Sequence, residues 1–194
     1  MPHRLHRLAI IAAILFSLTI SCAYCYDDGF GQVRKVESKH FAVYYAPSLD
    51  VFSLAESLNI GPADKVMAGG ASANTFSSEE EGLADMIDTL FMRVCDILDM
   101  QLYSFQGNIK ICKDFEQLNR IYNNLFDKEL QGTRSFYVYT LNTIYISPES
   151  FKREILGHEI AHAIISHYFV VQTPVKIQEV LASYVEYQLR KTTH

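Results

Sequence analysis

The chain has no run of like charge and no basic patch. Lys and Arg total 17 against 22 Asp and Glu, leaving a net charge of −5. That balance, with no RNA- or DNA-binding signature, argues against a nucleic-acid partner. Phosphate-cradling glycine loops are missing as well. Gly69-Gly70 sits among small residues with no Lys-Ser or Lys-Thr after it, and reads as a loop. Cysteine is scarce, with four in all, and none in the short pairs of a zinc-thiolate site. No internal repeat, low-complexity tract or second domain is recognisable. What remains is a chain of 194 residues, 49% hydrophobic, sufficient for one domain with a real core.

The longest apolar run lies at the start. Arg4 and Arg7 precede 13 mostly apolar residues, Leu8 to Ile20, and Ser21-Cys22-Ala23 supplies small residues for cleavage after Ala23. Residues 1–25 therefore read as a secretory signal peptide, since the run is short for a membrane span. Residues 26–194 are left as the exported domain, secreted or periplasmic. Any membrane contact is expected only through an uncleaved signal or a lipid on Cys22. Leu18-Thr19-Ile20-Ser21 fits a lipobox poorly because Thr19 holds the position usually taken by Leu. Export favours oxidised thiols. Cys95 and Cys112 are either a disulfide or two buried free thiols, and the sequence leaves both open.

The pattern beyond the signal predicts an α+β domain with a small mixed or antiparallel sheet. Residues 26–38 are polar and read as a loose start. His40 to Ala46 is aromatic and β-branched and reads as a strand. A short helix is expected over Pro47 to Leu58, then a loop over 61–77. Ser77 or Ser78 can cap a long helix reaching about Leu102, with Leu83, Met86, Ile87, Leu90, Val94, Ile97 and Leu98 at helical spacing. Gly107 to Lys113 alternates as a half-buried strand should. Asp114 opens a short helix. Ser135 to Thr140 and Thr143 to Ser147 form two strands around a turn at Leu141-Asn142. A helix over about Ser150 to His167 follows, and a last one from Thr173-Pro174 to Leu189. The helices are expected on one side of the sheet.

Chemistry concentrates in His158-Glu159-Ile160-Ala161-His162. Residues four apart on a helix share a face, so two neutral imidazoles can hold one zinc ion. Glu159 lies a quarter turn round, outside the ligand plane but within reach of a metal-bound water, which suits a general base. Gly157 removes a side chain where a partner backbone or substrate can approach. A catalytic zinc needs a third protein ligand and an open position. Glu179, 17 residues after His162 on the next predicted helix, is the better candidate. Glu186, its rival, lies two turns further along, about 10 Å by helix rise, so only one of them reaches the ion easily. Ala182 and Ser183 are small enough to let the two helices approach. His167, Tyr168 and Tyr184 are the polar groups nearby that could stabilise an oxyanion, though His167 reads better as a helix-end cation and Tyr184 as a packed residue.

His158-Glu-Ile-Ala-His162 followed by Gln178-Glu-Val-Leu-Ala-Ser-Tyr-Val-Glu186 resembles the gluzincin metallopeptidases, particularly small peptidase-MA-like members. Those pair H-E-x-x-H with a later E-G-L-A-x-Y-hydrophobic-E helix. Ser38-Lys39-His40-Phe41-x-Val43-Tyr44 resembles their opening strand. The resemblance spans 38–190, with specific motifs only in the last 40 or so residues. It implies a zincin-like fold, one zinc ion on His158, His162 and Glu179, Glu159 as catalytic base, and 143–147 as the edge strand that receives an extended peptide. Three positions depart from the pattern. Ile177 and Val180 stand near the third ligand, where the family usually has Trp and Gly, and the bulkier Val180 is expected to narrow the cleft. Ser183 stands where related enzymes often have an acidic partner for a zinc-bound His.

Two functions follow as expectations. One is an exported zinc metallopeptidase acting on a peptide or protein substrate. The other is a zinc-stabilised binding or assembly factor of the cell envelope. A third possibility is that the motif is accidental and the domain purely structural.

Overall fold

The computed structural model describes residues 28–61 and 78–191. The signal segment, Cys22, Cys25 and all but the first residue of the expected 61–77 loop lie outside the described residues. Among the described residues, five strands and five α-helices follow in chain order: β1 (Arg34–Glu37), β2 (Phe41–Tyr45), α1 (Val51–Leu58), α2 (Glu79–Leu98), β3 (Gly107–Ile111), α3 (Phe115–Phe126), β4 (Ser135–Val138), β5 (Thr143–Ile146), α4 (Arg153–Tyr168) and α5 (Val175–Lys191). The class is mixed α+β, as expected.

The strands make one mixed sheet in the order β1-β2-β3-β5-β4. The central pairs β2–β3 and β3–β5 are parallel, and the two outer pairs are antiparallel. Two expectations fail here. The 26–38 stretch is not a loose start, because Arg34–Glu37 pairs with β2 and places Val36 opposite Val43. Asp88 of α2 fastens this hairpin: it accepts hydrogen bonds from Ser38 Oγ and the Lys39 amide, each at 2.8 Å, and from the His40 amide at 3.0 Å. Asp28 adds a second anchor, since its buried carboxylate accepts from Tyr145 and Lys110. Nor is the 143–147 strand an edge. β5 lies between β3 and β4, with all four residues buried, and the edge belongs to β4. A strand hydrogen-bonded on both sides has no backbone left for a peptide.

Side chains alternate across the sheet with period two. Val43, Tyr45, Ile109, Ile111, Ile144 and Ile146 face the main core with α1, α2, α4 and α5. Tyr44, Phe136 and Tyr145 face the other way, where Leu118 and Ile121 of α3 pack on them. Helices therefore cover both faces, which corrects the one-sided expectation. The parallel crossover from β3 to β5 carries α3 to the far side. Cys95 lies in the main core and Cys112 in the far cluster, both as buried free thiols. The disulfide alternative is thereby removed. Burial pushes the two thiols up to about 11 and about 12.

Helix ends follow local chemistry. Ser78 caps α2 by accepting from the Glu81 amide, and Glu79, Glu80 and Glu81 occupy its positive end. The helix stops at Leu98 rather than Leu102 because Asp99 turns left-handed at φ 53°. Asp114 caps α3 through the Gln117 amide at 2.7 Å, as expected. α4 starts at Arg153, after Pro148–Ser150 forms a 3-10 turn. Its buried side chains lie all round the helix, including Leu156, Ile160, Ala161, Ala163, Ile164 and Ile165. Such a helix sits inside a fold, not on its surface.

Candidate metal centre

α4 runs between β4, α2 and α5. Gly157 is what allows the last contact. A Cβ there would meet Leu189 Cδ1 of α5 at 2.2 Å. The missing side chain thus admits a helix partner's side chain, not a substrate. Arg153, itself buried, donates to the Leu189 carbonyl at 2.9 Å and ties the start of α4 to the end of α5. Ala182 is buried on the same seam, whereas Ser183 faces solvent.

These contacts bring the expected residues together. His158 Nε2 and His162 Nε2 lie 3.2 Å apart. Glu179 Oε2 is 3.7 Å from the first, and Glu179 Oε1 is 3.5 Å from the second. Among the described residues this is the one group of three or more His, Cys, Asp or Glu side chains positioned to share an ion. Tetrahedral ligands at about 2.0–2.1 Å from zinc stand about 3.4 Å from one another. One donor atom from each of the three residues lies within 4.8 Å of the other two, so the set suits such an ion in chemistry and comes near its size.

Glu186 takes a different place from the rival ligand considered above. Its Oε2 lies 3.4 Å from His158 Nδ1, on the side of the ring away from Glu179. That nitrogen is buried and has no hydrogen-bond partner. A carboxylate against the far nitrogen of a ligating imidazole fixes its tautomer and its orientation. Glu186 thus stands one helical turn after Ser183, with its carboxylate beside that nitrogen. Arg190 holds the Glu186 carboxylate from the solvent side.

Glu159 is buried, and Ser135 Oγ at the start of β4 donates to its Oε1 at 2.7 Å. Ser135 is a residue that the sequence reading missed. A serine at a strand start has no spacing that announces it, and the contact exists only because α4 packs on β4. Burial lifts the Glu159 carboxyl to about 7, the nearby Glu179 and Glu186 charges adding to the rise and the Ser135 hydrogen bond opposing it. A carboxyl tuned to that range suits proton transfer at neutral pH. Burial, with the His158 ring beside it, lowers His162. The neutral imidazole so favoured is the form that binds metal.

Two recesses open on this cluster, of about 340 and 310 Å3, and share Thr133, Ser135, His158 and Glu159. The larger is walled by Tyr122, Leu130, Phe136, Tyr139 and Val175, and the smaller carries Arg134 and Ile155. The cleft thus continues on both sides of Glu159, along the outer edge of β4. None of His167, Tyr168 and Tyr184 lines it. His167 instead bonds the Ala163 carbonyl at 2.9 Å and stacks edge-on against Phe105. Tyr184 is half exposed, which corrects its reading as a packed residue. Val180 is 63% exposed and points outward, so it does not narrow the cleft. His40 lies far from this chemistry, buried against Phe91 at 4.2 Å with Nδ1 on the Phe105 carbonyl.

Comparison of the chain with protein-family models, with curated proteins and with solved structures gave no match.

Proposed function

We propose that this chain is an exported zinc metallopeptidase with a zincin-like domain, hydrolysing peptide bonds in a peptide or protein substrate. The observation that carries the reading is the convergence of three donors within 4.8 Å of one another beside a buried carboxylate and the outermost strand of the sheet. His158, His162 and Glu179 would hold the ion, and Glu186 would steady His158 from behind. Bound there, zinc supplies Lewis acidity and lowers the pKa of a water to about 7.

The chain's own groups account for the rest. Glu159 takes the proton from the attacking water and returns it to the leaving amine. Ser135 keeps that carboxylate aimed into the cleft while donating to its inner oxygen. The outer edge of β4, not β5, receives the extended substrate by strand addition.

The test is digestion of a broad peptide library read by mass spectrometry, with the wild type and Glu159→Gln compared. Chelator-sensitive cleavage in the wild type, lower by about 10²–10⁴-fold in the variant, is the expected result. Full activity in the variant would sink the mechanism. Stoichiometric zinc with no cleavage by either protein would favour the envelope binding factor instead.

A further inference from the structure

α5 has two unlike faces. Ala182, Val185 and Leu189 are buried against α4, and Glu179 and Glu186 flank them toward the histidines. Ile177, Val180, Tyr184 and Tyr187 are exposed at 49, 63, 48 and 54%. At 3.6 residues per turn these four fall in one stripe about 80° wide, opposite the buried face. The connection before the helix extends the apolar surface. Tyr168, Phe169, Val170 and Val171 are consecutive and exposed, with Val170 at 104%. No charged residue occurs between His167 and Lys176. Contiguous exposure of this kind marks an interaction surface.

Charge indicates what covers it. On a chain of net charge −5, the charges bordering the stripe are positive. Lys176 lies beside it and Lys191 at its end, over the Tyr187 ring at 4.8 Å. The acidic residues Glu179 and Glu186 turn away into the site. Aliphatic and tyrosine side chains edged by lysine are the composition of a helix lying in a bilayer interface. Among the described residues no helix is long and apolar enough to cross a membrane, so the contact is peripheral.

We propose that the outer face of α5 and the Tyr168–Val171 tip rest on an anionic lipid surface. This adds a second contact to the one expected from the N-terminal segment, and it does not depend on the peptidase reading. Val175 borders the larger recess, so the cleft mouth would lie beside the lipid surface, next to membrane-proximal substrates.

The test is co-sedimentation of the full chain with vesicles of phosphatidylcholine alone and of phosphatidylcholine with phosphatidylglycerol. Three variants are compared: Val170→Asp/Val171→Asp, Val180→Asp/Tyr184→Asp and Lys176→Gln/Lys191→Gln. All six positions are exposed, and circular dichroism checks that each variant folds. The wild type is expected to prefer the anionic vesicles. Each Asp pair should abolish most binding. The Gln pair should weaken it about 30-fold, at roughly 1 kcal/mol per lysine. Wild-type protein that ignores both vesicles overturns the proposal. So do Asp variants that bind undiminished, which would assign the binding to the apolar Leu8–Ile20 run. Self-association without lipid, dissolved by the Asp pairs, would make this face an interface between copies and overturn it equally.

Discussion

α4 and α5 supply the same site but are held in different ways. α4 is surrounded: Ile160, Ala161, Ile164 and Ile165 are each fully buried, on several sides of the helix. Its two histidines and Glu159 are set by packing before any ligand arrives. α5 is gripped along one face only, by Ala182, Val185 and Leu189, and Glu179 on it is exposed at 55% for its side chain. The buried helix carries the groups that need fixed geometry. The half-exposed helix carries Glu179 and Glu186, so the proposed metal site depends on how α5 docks.

Breaking the two helices separately should separate chemistry from assembly. The largest effect belongs to α4. Glu159→Gln keeps the shape and the Ser135 hydrogen bond but removes the base, and cleavage should fall by about 10²–10⁴-fold with zinc still bound. Kinetics and metal content on the same sample check this together.

On α5, Glu186→Ala leaves all three donors in place and removes only the group behind His158. Zinc affinity should fall about 10- to 100-fold, measured by competition with a chromophoric chelator. An unchanged affinity would show that Glu186 does not orient the ring.

Gly157→Ala strikes the seam between the helices. The added methyl collides with Leu189, and overpacking of this kind costs about 1–3 kcal/mol, to be read from the denaturant midpoint of the metal-free protein. Because Leu189 and Glu186 share α5, zinc binding should weaken as well.

The smallest effect concerns regions away from both helices. Cys95 and Cys112 are buried with thiols raised to about 11 and about 12. Neither should react with a thiol reagent at pH 8 in the native protein, and both should react on unfolding.

The sequence exposed what is local in this contrast. Two histidines at helical spacing announce α4, and the 17-residue step to Glu179 matches a simple helical return. The role of Glu186 was not readable, because which ring nitrogen it faces depends on how one helix is rotated against another. β1 escaped notice since Val36 is the one buried residue among its four. Strand order was hidden for a related reason. Ser-Phe-Tyr-Val and Thr-Ile-Tyr-Ile are both good strands, and only long-range pairing decides which becomes the edge. With that edge went Ser135, whose contact to Glu159 exists only in the packed fold.

The central claim is that His158, His162 and Glu179 bind one zinc ion. Titration of zinc into the metal-free wild type and into His162→Ala, followed by calorimetry, tests it most directly. The account predicts one ion per chain in the wild type and none held at comparable affinity in the variant. Undiminished zinc binding by His162→Ala, or no binding by the wild type, would contradict it.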